Sequence, residues 1–367
     1  MEFQTRLIRS FVFLGSLVLA AVLCPAFQAL AAAQSEAPVA TVPGYQVTAL
    51  VKNGSGAPHK DPNLRNAWGI ANFPGSPFWV SDEASGKSTL YDGMGTPFPP
   101  QGPLVVTVPP ASGTGQGTPT GMVANTDTNP MDFVISGGGG TGPAFFIFDT
   151  LDGTISGWNG GTDAVITVNR SSNGSHYTGL AMGFNNGATF LYAADNGSNA
   201  RVDMFDATFN FVASFADTGT DLAPYNVQNI NGYLYVTYGK VGVSGGLVDV
   251  FTTGGRMVRR FATNGKLEEP WGLALAPPNF GKFSNALLVG NVSDGHINAF
   301  DYTTRMFLGQ LANTLGHTIT IPGLWGLTFG SGGAGNVNGQ TNQLFFSAGP
   351  NNYADGLFGV IVAKSPW

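Results

Sequence analysis

"FLYAADNGSNARVDMFD" occupies residues 190–206. An apolar run ends at Asp195, a turn of Asn, Gly and Ser follows, and an alternating run closes at Asp206. Alternation bounded by turn formers specifies two strands joined by a short connection. The layout recurs. "FWVSDEASGKSTLYD" (78–92) repeats it with Asp82 in the Asp195 position, and "LLVGNVSDGHINAFD" (287–301) repeats it with Asn291 there. Looser copies are "FVISGGGGTGPAFFIFD" (133–149), "LYVTYGKVGVSGGLVDVF" (234–251) and "LFFSAGPNNYADGLFGVIV" (344–362), which makes six.

A second signature precedes each copy. These are "AWGIA" (67–71), "PTGMVA" (119–124), "YTGLAM" (177–182), "PYNVQN" (224–229), "PWGLAL" (270–275) and "LWGLTF" (324–329). Their second residues are Trp68, Thr120, Thr178, Tyr225, Trp271 and Trp325, spaced 52, 58, 47, 46 and 54 residues apart. A further apolar segment closes most units, at 104–108, 164–168, 211–215, 257–261 and 306–311. Four short strands at a period near 50 specify propeller blades. A lone four-stranded sheet cannot bury both faces, whereas six packed around an axis can, leaving only short edges. The expected fold is therefore all-β: a six-bladed β-propeller with four antiparallel strands per blade. The last unit runs from Trp325 and has room for three strands. "YQVTALV" (45–51) stands before the first unit and is the expected fourth, closing the ring.

Composition agrees. Charged residues are 10% of 367, hydrophobic residues 43%, and there are 53 glycines. That is too apolar for disorder and too glycine-rich for a helical protein. Residues 1–33 read as a secretory signal peptide: Arg6 and Arg9 precede an apolar run from Phe11 to Leu23, and small residues at Ala29–Ala33 offer cleavage sites. The chain is then a leader (1–33) and one propeller domain (34–367), exported to the periplasm or beyond the cell. Cys24, the single cysteine, lies in the leader, so no disulfide is available to the domain. Cleavage after Ala31 leaves 14 basic and 21 acidic residues. No basic stripe remains, which disfavours nucleic acid as a partner, and no later segment is long and apolar enough to span a membrane. A monomer is expected.

The units resemble NHL-type repeats. More closely, "DPNLRNAWGIA" (61–71), "SPFWVSDEASGKSTLYDG" (76–93), "PLVVTVP" (103–109), "EPWGLALAP" (269–277) and "GLWGLTFG" (323–330) resemble an uncharacterised family of bacterial exported proteins with a six-bladed, NHL-like propeller. The resemblance implies the fold and export and assigns no activity.

The inner strand of each blade enters from the face on which the second strand exits. The six second residues should therefore ring one channel mouth, with Asp82, Asp195 and Asn291 further out. Trp68, Tyr225, Trp271 and Trp325 would form an aromatic wall facing Thr120 and Thr178, with Asn66 and Glu269 beside them. Such a mouth suits a flat or sugar-like ligand, a glycan or a protein segment, bound without chemistry. Equally, each indole could simply pack between inner strands.

Two rival readings stay open. The first is a lactonase-like hydrolase or lyase holding a divalent cation such as calcium with Asp82, Asp195 and Glu269. His176 is its candidate for acid–base work, although a lone histidine on a loop is ordinarily just a polar surface residue. An aspartate opening a turn also has a sufficient structural role, accepting backbone N–H bonds. The second rival is a cell-envelope scaffold acting through its loops. No Walker loop, nucleophile elbow or zinc-binding set occurs in the sequence. The glycine runs at 136–142 and 330–339 lack a following helix pattern and read as blade loops.

Overall fold

A computed structural model describes residues 43–333 and 337–365. The expected leader lies outside them. Six sheets stand around an axis, each with its first strand innermost. Blade one comprises Ala67–Ala71, Phe78–Asp82, Lys87–Tyr91 and Val105–Thr107. Blade three comprises Tyr177–Asn185, Ala188–Asp195, Arg201–Phe205 and Phe211–Phe215, so the opening stretch supplies its second and third strands. Blade four comprises Ala223–Ile230, Tyr233–Gly239, Leu247–Thr252 and Met257–Thr263. Blade five comprises Pro270–Leu275, Ala286–Asn291, Ile297–Asp301 and Phe307–Gln310.

Blade six takes Leu324–Phe329, Gln343–Ala348 and Leu357–Lys364 from the end of the chain and Gly44–Lys52 from its beginning. The strands Gly44–Lys52 and Leu357–Lys364 pair antiparallel from Gly44↔Lys364 to Lys52↔Leu357. A short parallel strand, His59–Lys60, covers the outer edge. The closure is clasped by Tyr45. Its hydroxyl donates to the Phe280 carbonyl at 2.9 Å and accepts from the Phe283 N–H at 3.0 Å. Its ring lies against those of Phe280 and Phe283. Burial pushes this phenol up to about 12, so it stays a donor.

Six apolar cores fill the six blade-to-blade interfaces. Strand alternation explains how one strand serves two of them. Successive side chains point to opposite faces. In blade three, Leu191 and Ala193 therefore enter the core shared with blade two, while Tyr192 and Ala194 enter the core shared with blade four. Inner and second strands are accordingly apolar on both faces. At the axis the inner strands approach so closely that five of six carry glycine after the ring residue. A Cβ on Gly69 would stand 2.5 Å from the Thr120 carbonyl oxygen, and one on Gly272 would stand 2.5 Å from that of Trp325. Blade four has Asn226 instead, and its amide donates to the Trp271 carbonyl of blade five at 2.9 Å.

Blade two departs from the expected register. Residues 133–149 were expected to give its second and third strands. Val134–Gly137 instead pairs with Gly140–Pro143 as a separate hairpin, inserted between the first strand, Pro119–Ala124, and the second, Phe146–Thr150. The third and fourth strands are Thr154–Trp158 and Val165–Asn169. The four consecutive glycines form a tight turn, with Gly140 at φ +88°. Phe133 and Ile135 are buried in the core between blades two and three, so the hairpin imitates a blade strand in its apolarity.

Candidate functional site

The expected ring forms, but its mouth is filled. Trp68 stacks on Trp325 with ring centroids 3.5 Å apart and planes 17° apart. Trp271 meets both edge-on, at 6.2 and 6.0 Å. Tyr225, Val292 and Leu151 complete the cluster. The indoles of Trp68, Trp271 and Trp325 are 8, 4 and 4% exposed. Of the two readings of the ring, the indoles follow the second and pack against one another within the fold. Side chains this large on inner strands this close bury their faces against one another before any ligand can reach them. Trp271 Nε1 donates to the Thr178 carbonyl at 2.9 Å, and Trp325 Nε1 donates to Asn66 Oδ1 at 3.0 Å. The Trp68 Nε1 is buried with no partner among the described residues.

The polar residues expected around that mouth act within the fold. Asn66, in the left-handed region at φ 44°, donates to Glu83 at 2.8 Å besides accepting from Trp325. Glu269, at φ 52°, accepts from the Gly242 N–H at 2.5 Å, and its carbonyl accepts from Val292 N–H. Burial raises the Glu269 carboxyl above its ordinary range, opposed by the Gly242 N–H and reinforced by the charge of Glu268. Asp195 accepts from the backbone N–H groups of His176 and Gly197 at 2.8 and 2.9 Å. Asp82 is fully buried and accepts from Thr89 at 2.8 Å. Burial pushes the Asp82 carboxyl far up, which Thr89 opposes and the charge of Asp61 augments. Asp82, Asp195 and Glu269 are thus used separately, and among the described residues no three of His, Cys, Asp and Glu stand together as a metal would require. The side chain of His176 is exposed.

Thr120 and Thr178 are buried. Thr120 exposes a residue the sequence reading passed over, Asp149. The Thr120 hydroxyl oxygen is 2.8 Å from Asp149 Oδ1 and 2.8 Å from the Tyr177 carbonyl oxygen of blade three. A hydroxyl has one proton, so both contacts are hydrogen bonds only when Asp149 carries a proton and donates to Thr120. Burial agrees, moving the Asp149 carboxyl up to about 7 against the opposing backbone N–H groups of Gly121 and Gly179.

Beneath the aromatic plug the channel widens into a cavity of about 350 Å³. Trp271 and Asn226 lie at its closed end. Its partly exposed residues, among them Asn72, Gln228, Asn229 and Thr328, belong to the far ends of the inner strands. The cavity thus opens on the face opposite the indoles. No charged side chain lines it. Gln228, Thr328 and Thr126 make no side-chain hydrogen bond among the described residues, whereas Asn229 is held by the Met182 carbonyl and the Gly232 N–H. No signal in the sequence separated these strand-end amides and hydroxyls from ordinary solvated polar residues.

No protein-family profile matches the chain. It is similar to two proteins of Acanthamoeba polyphaga mimivirus. Uncharacterized protein R648 is 30% identical over 348 residues, with 88% of this chain and 82% of that protein covered. Uncharacterized protein L690 is 29% identical over 350 residues, with 89 and 87% covered. Among solved structures, a streptogramin B lyase superposes with a TM-score of 0.53 at 12% identity, covering 88% of this chain and 98% of that one. A structural-genomics protein of unknown function from Bacteroides thetaiotaomicron gives 0.54 at 12% identity, covering 88 and 76%. At such identities the likeness shows the fold alone, a β-propeller. The chain belongs to the family of these uncharacterized mimivirus proteins.

Proposed function

We propose that the chain is an exported binding module that takes a neutral, hydroxyl- or amide-bearing small molecule, such as a saccharide, into the axial cavity from the face opposite the indoles. The observation that carries this reading is the cavity lining, which is polar at its open lip, apolar deeper and without a charged side chain. A volume of about 350 Å³ lies near the lower end of the usual ligand-site range of roughly 300–1,000 Å³. The free amide of Gln228 and the hydroxyls of Thr126 and Thr328 would orient the ligand, with Trp271 as the floor. Export rests on the leader at residues 1–33 and on the resemblance to exported propellers.

The hydrolase or lyase alternative has less support, because its carboxylates serve separate structural bonds and the lyase likeness is one of fold. The test is thermal unfolding of the full chain against neutral mono- and disaccharides, since a ligand that binds only the folded state raises the transition temperature by linkage. A saccharide-dependent rise, abolished by Ala124→Trp at the cavity lip, is expected. No rise with any sugar at tens of millimolar, or a rise that survives Ala124→Trp, would refute the cavity reading.

A further inference from the structure

A second cleft, of about 430 Å³, lies between the outer strands of blades four and five. One wall is aromatic. Phe261 and Phe300 are buried, Phe307 is 42% exposed, and the rings meet edge-on at 6.2 and 5.6 Å. The other components are cations: Arg260, Lys266 and Arg305 line the cleft, and no carboxylate does. Arg260 is engaged by Asp217 and Asp249. Lys266 and Arg305 form no ion pair among the described residues, in a chain of net charge −6. Lys266 and Arg305 thus stand beside an apolar wall in a cleft that no carboxylate lines, next to an Arg260–Asp217–Asp249 group that carries one surplus negative charge.

The site is also built rather than incidental. Asn291 and Asn298, both fully buried, each donate to the Lys266 carbonyl, at 2.8 and 3.0 Å. The turn bearing Lys266 is further fixed by Asn264 N–H on the Gly246 carbonyl and by buried Leu267. Arg305 is held in the left-handed region at φ 67°, and its guanidinium donates across the cleft to the Arg260 carbonyl at 3.3 Å. Asn291, which the repeat places where blades one and three carry aspartate, thus positions the lysine turn.

We propose that this cleft binds an amphipathic anion: a carboxylate, sulfate or phosphate monoester on an aryl or acyl body, its charge between Lys266 and Arg305 and its apolar part against Phe307. A phosphate of this kind could be a free metabolite or a lipid headgroup, and the test separates them. Isothermal titration of the full chain uses phenyl phosphate, inorganic phosphate and benzyl alcohol as probes. Phenyl phosphate is expected to bind once per chain, at least several-fold more tightly than inorganic phosphate, with no binding of benzyl alcohol.

Exposed ion pairs are individually weak, so the K266Q/R305Q double variant is expected to lose roughly tenfold in affinity, and Arg305→Lys to restore part of it. Phe307→Ser should weaken phenyl phosphate and leave inorganic phosphate unchanged. Lys266 and Arg305 are exposed, so an unchanged unfolding transition verifies that the variants fold. Wild-type binding by the double variant overturns the proposal, as does equal affinity for the two phosphates. Sedimentation with phosphatidylglycerol vesicles, but not phosphatidylcholine vesicles, together with Lys266-dependent phenyl phosphate binding, assigns the headgroup source. Vesicle binding without phenyl phosphate binding overturns the cleft as the site in favour of surface adsorption.

Discussion

Three tryptophans at one mouth differ in what their indole N–H groups meet, and the difference is measurable. Trp271 and Trp325 donate to Thr178 and Asn66, while the Trp68 nitrogen has no partner among the described residues. Replacing each by Phe removes an N–H and some ring volume. At Trp271 and Trp325 the change also orphans a buried acceptor, which costs about 1–3 kcal/mol. At Trp68 it removes a buried donor that was unsatisfied, an offsetting gain. Urea unfolding should therefore show Trp68→Phe as the mildest of the three by roughly 1 kcal/mol. Equal losses would mean that Trp68 Nε1 has a partner, such as a water. The identity of the six ring residues was legible in the sequence, because each follows the same offset from its strand. Their mutual packing was not: contacts between residues 68, 271 and 325 are set by how far six strands converge, and no local spacing records that distance.

At the scale of the strand, the opening stretch and its repeats were readable because period-two alternation and turn formers are local signals. Blade two was misread for a physical reason. A hairpin with four glycines and apolar Phe133 and Ile135 satisfies the same local rules as a blade strand. Only pairing partners distinguish them: Phe146–Thr150, not Val134–Gly137, lies against the inner strand. The closing strand was legible by subtraction, since the last unit lacked one strand and the first had one to spare. Its anchoring depends on the Tyr45 hydroxyl, a detail of register. Tyr45→Phe leaves the Phe280 carbonyl and the Phe283 N–H without their bonds to the clasp. It is expected to lower stability by about 1–3 kcal/mol and to loosen the Gly44–Lys52 pairing first. Hydrogen exchange should show faster exchange across Leu357–Lys364 than across the inner strands. Uniform acceleration across all six blades would contradict a clasp local to the closure.

For the whole molecule, the buried acids set the pH dependence. Asp149 stands at about 7 and Asp249 at about 6, both raised chiefly by burial, with Asp249 partly restored by Arg260. Asp82 and Glu269 are raised in the same sense. A carboxyl whose folded-state value exceeds its unfolded value holds its proton better when folded. Its contribution is complete below the unfolded value, near 4, and is lost as pH climbs through the folded value. Asp127, Asp206 and Asp301 are lowered, and their contribution disappears only on acidification below about 4. Between pH 8 and 5 the raised group alone acts, so the melting temperature should rise as pH falls across that window and turn down below it. Asp149→Asn should keep the bond to Thr120 at every pH, since the amide donates as the protonated acid does. The variant should therefore be more stable than wild type at pH 8, match it near pH 5, and show a flatter profile between. A variant that parallels wild type across the window would place the Asp149 proton outside the link between blades two and three.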